Sequence, residues 1–505
     1  MALLSPSSAQ DRTPPARDGG GSGTPAARDA RGILRSVWIW PTLITFVLTV
    51  YQIGIPQLWE DELNSWDMAA RGTGELLSAV RNVDAVLGAY YLFLHGWMAV
   101  VGESATAVRL PSALAMAGAT ACTALIGRRL FGRRAGLTAG LLFTLVPVVT
   151  RYGHEARPYA LVVLAVALST LLLLRALDRP GNRWRWAGYT LSLAAVGLLH
   201  LVALTALAGH LVVVALHARS ERRTAVRFGL AALIGVAASA PVALLGRAQA
   251  GRQIAWIPEP DLSSLLTFWP QLYASALAAG AVTTLAVLAW GERRDAVLSA
   301  TALAVLPPLV LWVVSHGDVS YFYYRYLLFT LPAWVVLAGA GLTAARSRAL
   351  VAAALVVVAL LTLPEHQAMR KPYAHFWHGV DYEGAARTIQ KYHRPGDAVV
   401  YDRGPDYWRM LDVGVRFYLP DGLRMRDVFL AESAADRNDL WSTECPDPAA
   451  CVKDERRIWL VVGGNDADPF EALPGPQARA LRARYTASGT ERLTGVTVAL
   501  LRRRS

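Results

Sequence analysis

The sequence VWIWPTLITFVLTVYQIGIPQLWEDEL, residues 37–63, contains the pattern on which the fold prediction rests. Val37–Ile55 carries no charge and is about long enough to cross the hydrocarbon core of a bilayer. Glu60, Asp61 and Glu62 follow within a few residues, so three carboxyl groups lie where the chain leaves the lipid. A carboxylate held there can act on a lipid-borne substrate. Any loop outside a membrane can also carry acids, because Asp and Glu contribute little to topology. Position alone leaves both interpretations open.

The composition indicates a membrane protein. Hydrophobic residues make up 54% of the 505, charged residues make up only 17%, and the mean hydropathy is +0.32. An average soluble domain is about 45–50% apolar and about 25% charged. The net charge of +12 does not indicate nucleic-acid binding. The arginines form short clusters between apolar runs and do not form one basic face.

Residues 1–35 are predicted to be a disordered cytoplasmic tail, because they are rich in Gly, Pro, Ser, Ala and Arg and show no apolar periodicity. Beyond them, basic clusters alternate with apolar runs, as the positive-inside rule requires of a multi-pass protein. We predict about eleven spans, with the N-terminus in the cytoplasm and the C-terminus outside. The spans lie at 37–55, 111–126, 137–150, 159–174, 187–200, 201–216, 228–245, 265–290, 297–315, 326–345 and 350–363.

Two predicted outer segments are too large to be simple connectors. The loop 56–109 holds the acidic cluster, Asp84 and the aromatic stretch 90–97, a mixture that suits helices lying in the membrane interface. The tail 365–505 has shorter apolar runs and is predicted to be an extracytoplasmic α/β domain. Its predicted strands lie at 398–401, 458–462 and 496–501, and its predicted helices at 382–393 and 476–485.

Cys445 and Cys451 flank a proline-containing loop in this predicted domain. Two cysteines at this spacing can bind a metal, but no Cys or His lies close by in the sequence to complete a site. A disulfide is the better interpretation, because the outer compartment is oxidising. The third cysteine, Cys122, lies in an apolar span and is predicted to be a small core residue.

With these features together, the chain resembles the GT-C glycosyltransferases, in the bacterial branch related to protein O-mannosyltransferases and aminoarabinose transferases (glycosyltransferase family 39). A basic N-terminus, one span and the acidic pair Asp61-Glu62 open a long outer loop, which is the arrangement of that branch. Further short matches follow in order, and the resemblance covers residues 37–364. They are Tyr90-Tyr91 with His95 and Trp97, Arg109-Leu110-Pro111-Ser112, Glu155-Ala156-Arg157-Pro158-Tyr159, and Arg325-Tyr326. No repeated MIR-type domain of the eukaryotic O-mannosyltransferases is visible.

The resemblance implies both a fold and a reaction. The fold is a polytopic α-helical membrane domain, residues 36–364, followed by the extracytoplasmic α/β domain, residues 365–505. The reaction is transfer of a sugar, mannose by resemblance, from a polyprenyl-phosphate donor to an acceptor hydroxyl on the outer face, with inversion. The resemblance assigns Asp61 as the general base that takes the hydroxyl proton. It assigns Glu62 as the neighbour that shapes the surroundings of Asp61.

The leaving polyprenyl phosphate requires cations, because charge builds on it as the glycosidic bond breaks. Arg325 and Arg157 suit this role, since a guanidinium can donate two parallel hydrogen bonds to a phosphate. A structural role stays open for each: Arg325 can be an interfacial anchor among aromatic residues, and Arg157 can pair with Glu155.

Other side chains are also candidates for substrate binding. Glu155, Tyr159 and Tyr326 belong to the matched motifs. Asp84 and His95 lie in the outer loop, where packing and hydrogen bonding form the competing interpretation. His200 and His210 are predicted to be packed against neighbouring helices and are left out of the site.

The implied partners are a polyprenyl-phosphate sugar donor, membrane lipid, and an acceptor that is a protein, a glycolipid or a glycan. No cofactor is assigned. Some GT-C enzymes bind a divalent metal through their acidic loops, but the sequence shows no fixed set of oxygen ligands, so metal use stays open. The Arg-rich, Lys-poor usage favours a GC-rich bacterium and therefore a bacterial plasma membrane.

The competing class is a polytopic transporter or lipid flippase for an envelope precursor. No inverted repeat is visible in the sequence, and the spans contain almost no mid-membrane acids of the kind that mark coupling-ion sites. A non-catalytic membrane scaffold would leave the acidic and arginine motifs unexplained.

Overall fold

The computed structural model describes residues 36–217, 221–374, 379–404 and 407–504, without the side chain of Arg252. The predicted disordered tail, residues 1–35, lies outside the described residues. Between Ile39 and Ala368 the described chain is helical, and each apolar segment predicted as a span coincides with a helix or a bent pair of helices. The helices of this part are α1 (Ile39–Val50), α2 (Glu60–Ala70), α3 (Thr73–Asn82), α4 (Gly88–Val101), α5 (Ala105–Phe131), α6 (Arg133–Leu145), α7 (Pro147–Gly153), α8 (Tyr159–Asp178), α9 (Arg183–Leu199), α10 (Ala206–His217), α11 (Arg222–Ala237), α12 (Ala240–Gln253), α13 (Leu262–Thr267), α14 (Trp269–Tyr273), α15 (Ala276–Val287), α16 (Arg294–Val314), α17 (Leu331–Ala344) and α18 (Arg348–Ala368).

Among the described residues, five helices are long and apolar enough to cross a membrane, and the number is eight if each of three bent pairs counts as one span. Proline accounts for two of the bends. Pro147 begins α7 where the chain turns by 63°, and Pro241 lies in the first turn of α12 after a bend of 52°. Proline is tolerated in a first turn but cannot continue the hydrogen-bonding ladder of a preceding helix. This part therefore has the composition of a multi-pass membrane domain, and the count of eleven stays a prediction.

Three helices, α2, α3 and α4, occupy the loop 56–109. The sequence begins α2 at its acidic cluster for a local reason: the Trp59 N–H donates to Glu62 Oε2 over 3.4 Å, and three acids lie in the first turn. Acids there satisfy free amide groups and interact favourably with the positive end of the helix dipole. The apolar side of α2 is buried through Leu63 and Met68. The acidic cluster therefore starts a helix whose apolar side is buried in the protein.

The residues after 380 form a mixed sheet with helices packed on it. The five-stranded sheet has the order β2-β1-β5-β7-β6, in which β1 runs parallel to β2 and β5, while β7 runs antiparallel to β5 and β6. The strands are β1 (Ala398–Tyr401), β2 (Arg426–Asp427), β5 (Arg457–Gly463), β6 (Tyr485–Leu493) and β7 (Val496–Arg503), with β3 (Leu430–Glu432) and β4 (Thr443–Glu444) as a separate pair. The helices are α19 (Tyr382–Tyr392), α20 (Leu411–Tyr418), α21 (Pro448–Cys451) and α22 (Gly475–Arg484).

The sheet part sits on the loop helices through a shared core and specific hydrogen bonds. The ring of Trp66 in α2 packs edge-on against Phe417 in α20, with centroids 5.0 Å apart. The Leu58 N–H donates to the Tyr418 hydroxyl over 2.9 Å, and Gln57 Nε2 donates to Asp381 Oδ1 over 2.7 Å. The sheet part therefore helps to position the loop that begins α2.

Candidate active site

Asp61 lies in the first turn of α2, and two arginines from distant parts of the chain converge on it. Arg325 Nη1 is 2.7 Å from Asp61 Oδ2, and Arg157 Nη2 is 3.9 Å from the same oxygen. Arg157 Nη1 also donates to the backbone oxygen of Asp61 and to Ser65 Oγ, each over 3.2 Å. Burial favours the protonated acid, yet Arg157 and Arg325 hold the pKa of Asp61 below its ordinary value of 3.8. Asp61 is therefore ionised at neutral pH.

Glu62, the second acid of the pair, points into the protein. Its carboxylate accepts two hydrogen bonds from Arg109, from Nε over 2.7 Å and from Nη2 over 2.6 Å, and both side chains are fully buried. The Ala156 N–H donates to Glu62 Oε1 over 2.7 Å. Arg109 also donates to the backbone oxygens of Ile53, Pro56 and Gln57. The pair ties α2 to the segment that follows the first apolar helix and to the loop before α8.

Aromatic rings surround the guanidinium of Arg325. Its central carbon lies 5.0 Å from the ring centroid of Tyr323, 5.6 Å from that of Tyr159 and 5.9 Å from those of Trp59 and Trp256. Contacts of this kind attract a cation to the ring face. Thus Arg325 is enclosed by rings on several sides while Asp61 holds one of its terminal nitrogens.

Glu155 pairs with a different arginine from the one considered in the sequence. Its carboxylate lies 3.5 Å from Arg151 Nη2, whereas Arg157 contacts Asp61. An ion pair between Arg157 and Glu155, the structural alternative for Arg157, is not what the structure has. Burial raises the pKa of Glu155 to about 7, against the opposing effect of Arg151. Glu155 therefore carries only part of a negative charge near neutral pH.

Asp84 and His95 occupy different surroundings. Asp84 accepts hydrogen bonds from the Tyr91 hydroxyl over 2.7 Å and from Gln253 Nε2 over 2.7 Å. Burial raises the pKa of Asp84, while the charge of Arg157 lowers it and the charge of Asp61 raises it. His95 instead bonds to the Thr73 hydroxyl over 3.1 Å and to the backbone oxygen of Ala69 over 2.8 Å. The structure engages His95 in packing between the loop helices and does not bring it to Asp61.

The sequence prediction missed several residues of this cluster. His200, predicted only to be packed, lies 4.8 Å from the Tyr326 ring and 6.0 Å from the Tyr159 ring, and its Nδ1 has no hydrogen-bond partner within the described part of the chain. His210 is satisfied as predicted, by Thr170 and Tyr189 at 3.0 Å each. Arg151 and Trp256 were not singled out, although Arg151 precedes the matched motif by only four residues.

The cluster carries excess positive charge and unused donors. Arg151, Arg157 and Arg325 surround one ionised Asp61, since Glu155 is only partly ionised. Each of these arginines has one nitrogen that is buried without a hydrogen-bond partner in the described chain: Nη1 of Arg151, Nε of Arg157 and Nε of Arg325. Buried donors without partners are costly, and a phosphate oxygen would satisfy them. The described residues contain no group of three or more His, Cys, Asp or Glu side chains placed to hold a metal ion.

Comparisons with known proteins show which family model and which solved structures this chain resembles. Residues 88–244 match the family model of dolichyl-phosphate-mannose-protein mannosyltransferases. The structure of ArnT from Cupriavidus metallidurans in the apo state aligns at a TM-score of 0.60 and 16% identity, over 94% of this chain and 98% of that one. The structure of the same protein bound to undecaprenyl phosphate aligns at a TM-score of 0.59 and 14% identity, over 93% of this chain and 98% of that one. A comparison with curated protein sequences gives no significant match.

Proposed function

We propose that this chain is a GT-C glycosyltransferase related to protein O-mannosyltransferases and ArnT, because residues 88–244 match that family model and its multi-pass fold resembles that of ArnT. The reaction is transfer of a sugar from a polyprenyl phosphate to an acceptor hydroxyl. The observation that carries this proposal is the convergence of Arg325 and Arg157 on Asp61. It joins an ionised carboxylate and two guanidinium groups at the start of α2, in the loop that follows the first apolar helix.

In this proposal the arginines bind the donor phosphate. Their unpartnered Nε atoms provide buried donors, and Arg151 adds a third positive charge. As the bond between the anomeric carbon and the phosphate oxygen breaks, negative charge grows on the phosphate, and fixed guanidinium groups stabilise that charge in a site of low dielectric. Undecaprenyl phosphate is bound in the structure of ArnT, which shares this fold.

Asp61 acts as the general base. Its two arginine contacts both use Oδ2, so we assign Oδ1 to the acceptor hydroxyl. The hydroxyl oxygen forms its bond to the anomeric carbon as its proton moves to Asp61, and the phosphate leaves from the opposite face, which inverts the configuration. Phosphate binding draws the arginines away from Asp61 and raises its basicity, because their charges hold its pKa low in the free protein.

Mannose is the sugar we propose, on the strength of the matching family model. Asp84, Glu155, Tyr159 and Tyr326 border the cluster and are proposed to contact the donor, with Glu62 positioning α2 through Arg109. We place the site on the outer face of a bacterial plasma membrane, because arginine clusters alternate with the loop 56–109 and the tail along the sequence.

The donor class is tested with purified protein in lipid nanodiscs. Undecaprenyl-phosphate-mannose, its pyrophosphate analogue and GDP-mannose are each supplied with membranes from cells that lack the protein as the acceptor source. We expect consumption of the monophosphate lipid alone, with undecaprenyl phosphate released. Consumption of GDP-mannose, or of no lipid donor by wild-type protein, contradicts the proposal. Mass spectrometry of envelope glycans from cells with and without the protein then identifies the acceptor.

A further inference from the structure

A cavity of about 940 Å³ lies between the loop helix α2 and the sheet part. Trp66 and Asp67 of α2 form one wall, and Tyr401 and Asp427 mark the ends of the parallel strands β1 and β2. Its volume is at the upper end of the range of about 300–1,000 Å³ for small-molecule sites. The carboxyl ends of parallel strands are also where open α/β sheets bind ligands.

A charged cluster with unused hydrogen-bonding capacity lines this cavity. Arg403 Nη2 donates to Asp427 Oδ2 over 2.6 Å and to Asp412 Oδ2 over 2.9 Å, which fixes the guanidinium. Its other terminal nitrogen, Nη1, is 3.9 Å from Glu444 Oε1, too far for a hydrogen bond. Three polar atoms of this cluster are buried without a hydrogen-bond partner of normal geometry within the described chain: Nη1 of Arg403, Oδ1 of Asp427 and Oε1 of Glu444.

These three atoms can take both donors and acceptors from a ligand. The carboxylate oxygens need donors and the guanidinium nitrogen needs an acceptor. A hydroxyl group supplies either, so a ligand rich in hydroxyls can satisfy the whole cluster. Five carboxylates and three arginines line the cavity, and this excess of negative charge disfavours phosphates, sulfates and uronic acids.

Aromatic rings provide the apolar part of the wall. Tyr407 and Trp441 pack edge-on with centroids 4.7 Å apart, and Tyr407 is about half exposed at 49%. The face of an aromatic ring packs well against the C–H face of a pyranose, and such rings dominate the burial energy of a site. Aromatic rings beside paired carboxylate and guanidinium groups form a surface suited to a saccharide.

We propose that this cavity binds an uncharged saccharide segment of the acceptor. The inference rests on the proposed glycosyltransferase function and names its acceptor as a glycan. Helix α2 connects the two sites: Asp61 lies in its first turn, while Trp66, five residues on and about 7.5 Å further along the axis, lines the cavity. A saccharide held in the cavity lies beside the reacting centre on another face of the same helix, and it keeps the acceptor chain near Asp61.

Binding is measured separately from transfer. Full-length protein carrying Asp61→Asn in nanodiscs is titrated with a neutral manno-tetrasaccharide, a neutral gluco-tetrasaccharide and a tetramer of uronic acid, and binding is followed by saturation-transfer NMR and calorimetry. We expect at least one neutral tetrasaccharide to bind and the uronic acid tetramer not to bind. Tyr407→Ala and Glu444→Gln should each weaken binding about tenfold, which corresponds to about 1.4 kcal/mol.

Tyr392→Ala is the matched control, because Tyr392 is equally exposed at 52% and does not line the cavity. It should bind like the Asp61→Asn parent. Absence of binding by both neutral probes, or equal binding by all variants, overturns the inference. If wild-type protein still transfers sugar in that case, the proposed function stands and only the cavity assignment fails. If the neutral saccharide binds and no lipid donor is consumed, the proposed function fails instead.

Discussion

Asp61→Asn should lower the rate of sugar transfer by about a hundred- to ten-thousandfold, which is the usual contribution of a positioned general base. At 1.36 kcal/mol per tenfold, this loss is about 2.7–5.4 kcal/mol of transition-state stabilisation. We expect the loss to be confined to proton transfer. An asparagine oxygen can still accept from Arg325 in place of Oδ2, 2.7 Å away, and the amide group then occupies the position of Oδ1 and cannot take a proton.

The same geometry predicts how the loss divides between binding and chemistry. Arg325 and Arg157 share their charges with Asp61 in the free protein, so removing that charge leaves them free for the donor phosphate. Affinity for undecaprenyl-phosphate-mannose should therefore be unchanged or higher, while kcat falls. Fluorescence titration of the donor and release of undecaprenyl phosphate, both in nanodiscs, give the two quantities.

Glu75→Gln is the matched control. Glu75 is an exposed acid in the first turn of α3, and glutamine preserves its capping interaction with Gly72. Its turnover and thermal stability should match the wild type. Turnover of Asp61→Asn within about threefold of the wild type would refute the assignment of Asp61. So would a loss of activity that merely parallels a loss of folded protein.

Other substitutions test the rest of the cluster. Arg325→Lys keeps the charge but loses the planar guanidinium, so it should recover only part of the donor affinity lost in Arg325→Ala. If the alanine variants at Arg325 and Arg157 are both fully active, the two arginines have only a structural role. Glu62→Gln leaves the buried charge of Arg109 without a carboxylate, and should destabilise the fold by about 3–5 kcal/mol in denaturation assays, with donor affinity intact in the protein that remains folded. Glu155 has a pKa raised by burial to about 7, so its contribution to stability is fully present below pH 4.5 and is lost as pH rises through about 7. The melting temperature of wild type relative to Glu155→Gln should therefore fall between pH 5 and 8, and a constant difference would contradict this cause. Reduction of the bond between Cys445 and Cys451, which the structure pairs, should cost about 2–3 kcal/mol and leave transfer intact, and two free thiols in unreduced, denatured protein would disprove the pairing.

Local sequence patterns predicted the apolar helices, the helices α19 and α22, and three of the strands, but not the helices α20 and α21. Hydrophobic runs and arginine clusters marked each apolar helix, and the run 458–462 lies within β5 because buried strands are continuously apolar. Strand β6 was missed, since Tyr485–Leu493 is polar and mostly exposed. It forms only because β7 offers it a full set of hydrogen bonds.

The candidate site was predictable only in part, for the same reason. The acidic cluster identified Asp61, and arginines at predicted outer turns identified Arg157 and Arg325. Asp61 and Arg325 are 264 residues apart in the sequence. Their contact follows from the packing of helices, which the periodicity of apolar residues does not encode. The position of His200 beside Tyr326, and the cavity between α2 and the strand ends, depend on tertiary packing in the same way.

The buried pair of Glu62 and Arg109 also constrains how the protein is assembled during synthesis. Arg109 is translated 47 residues after Glu62, and it lies within α5. Until α5 has entered the bilayer and docked, the Glu62 carboxylate has no cation and must stay hydrated. The helix that carries Asp61 therefore takes up its final position only after α5, the first long apolar helix of the described chain, is in place. An insertion intermediate that stops before α5 lacks the arginine that pairs with Glu62 and fixes this helix.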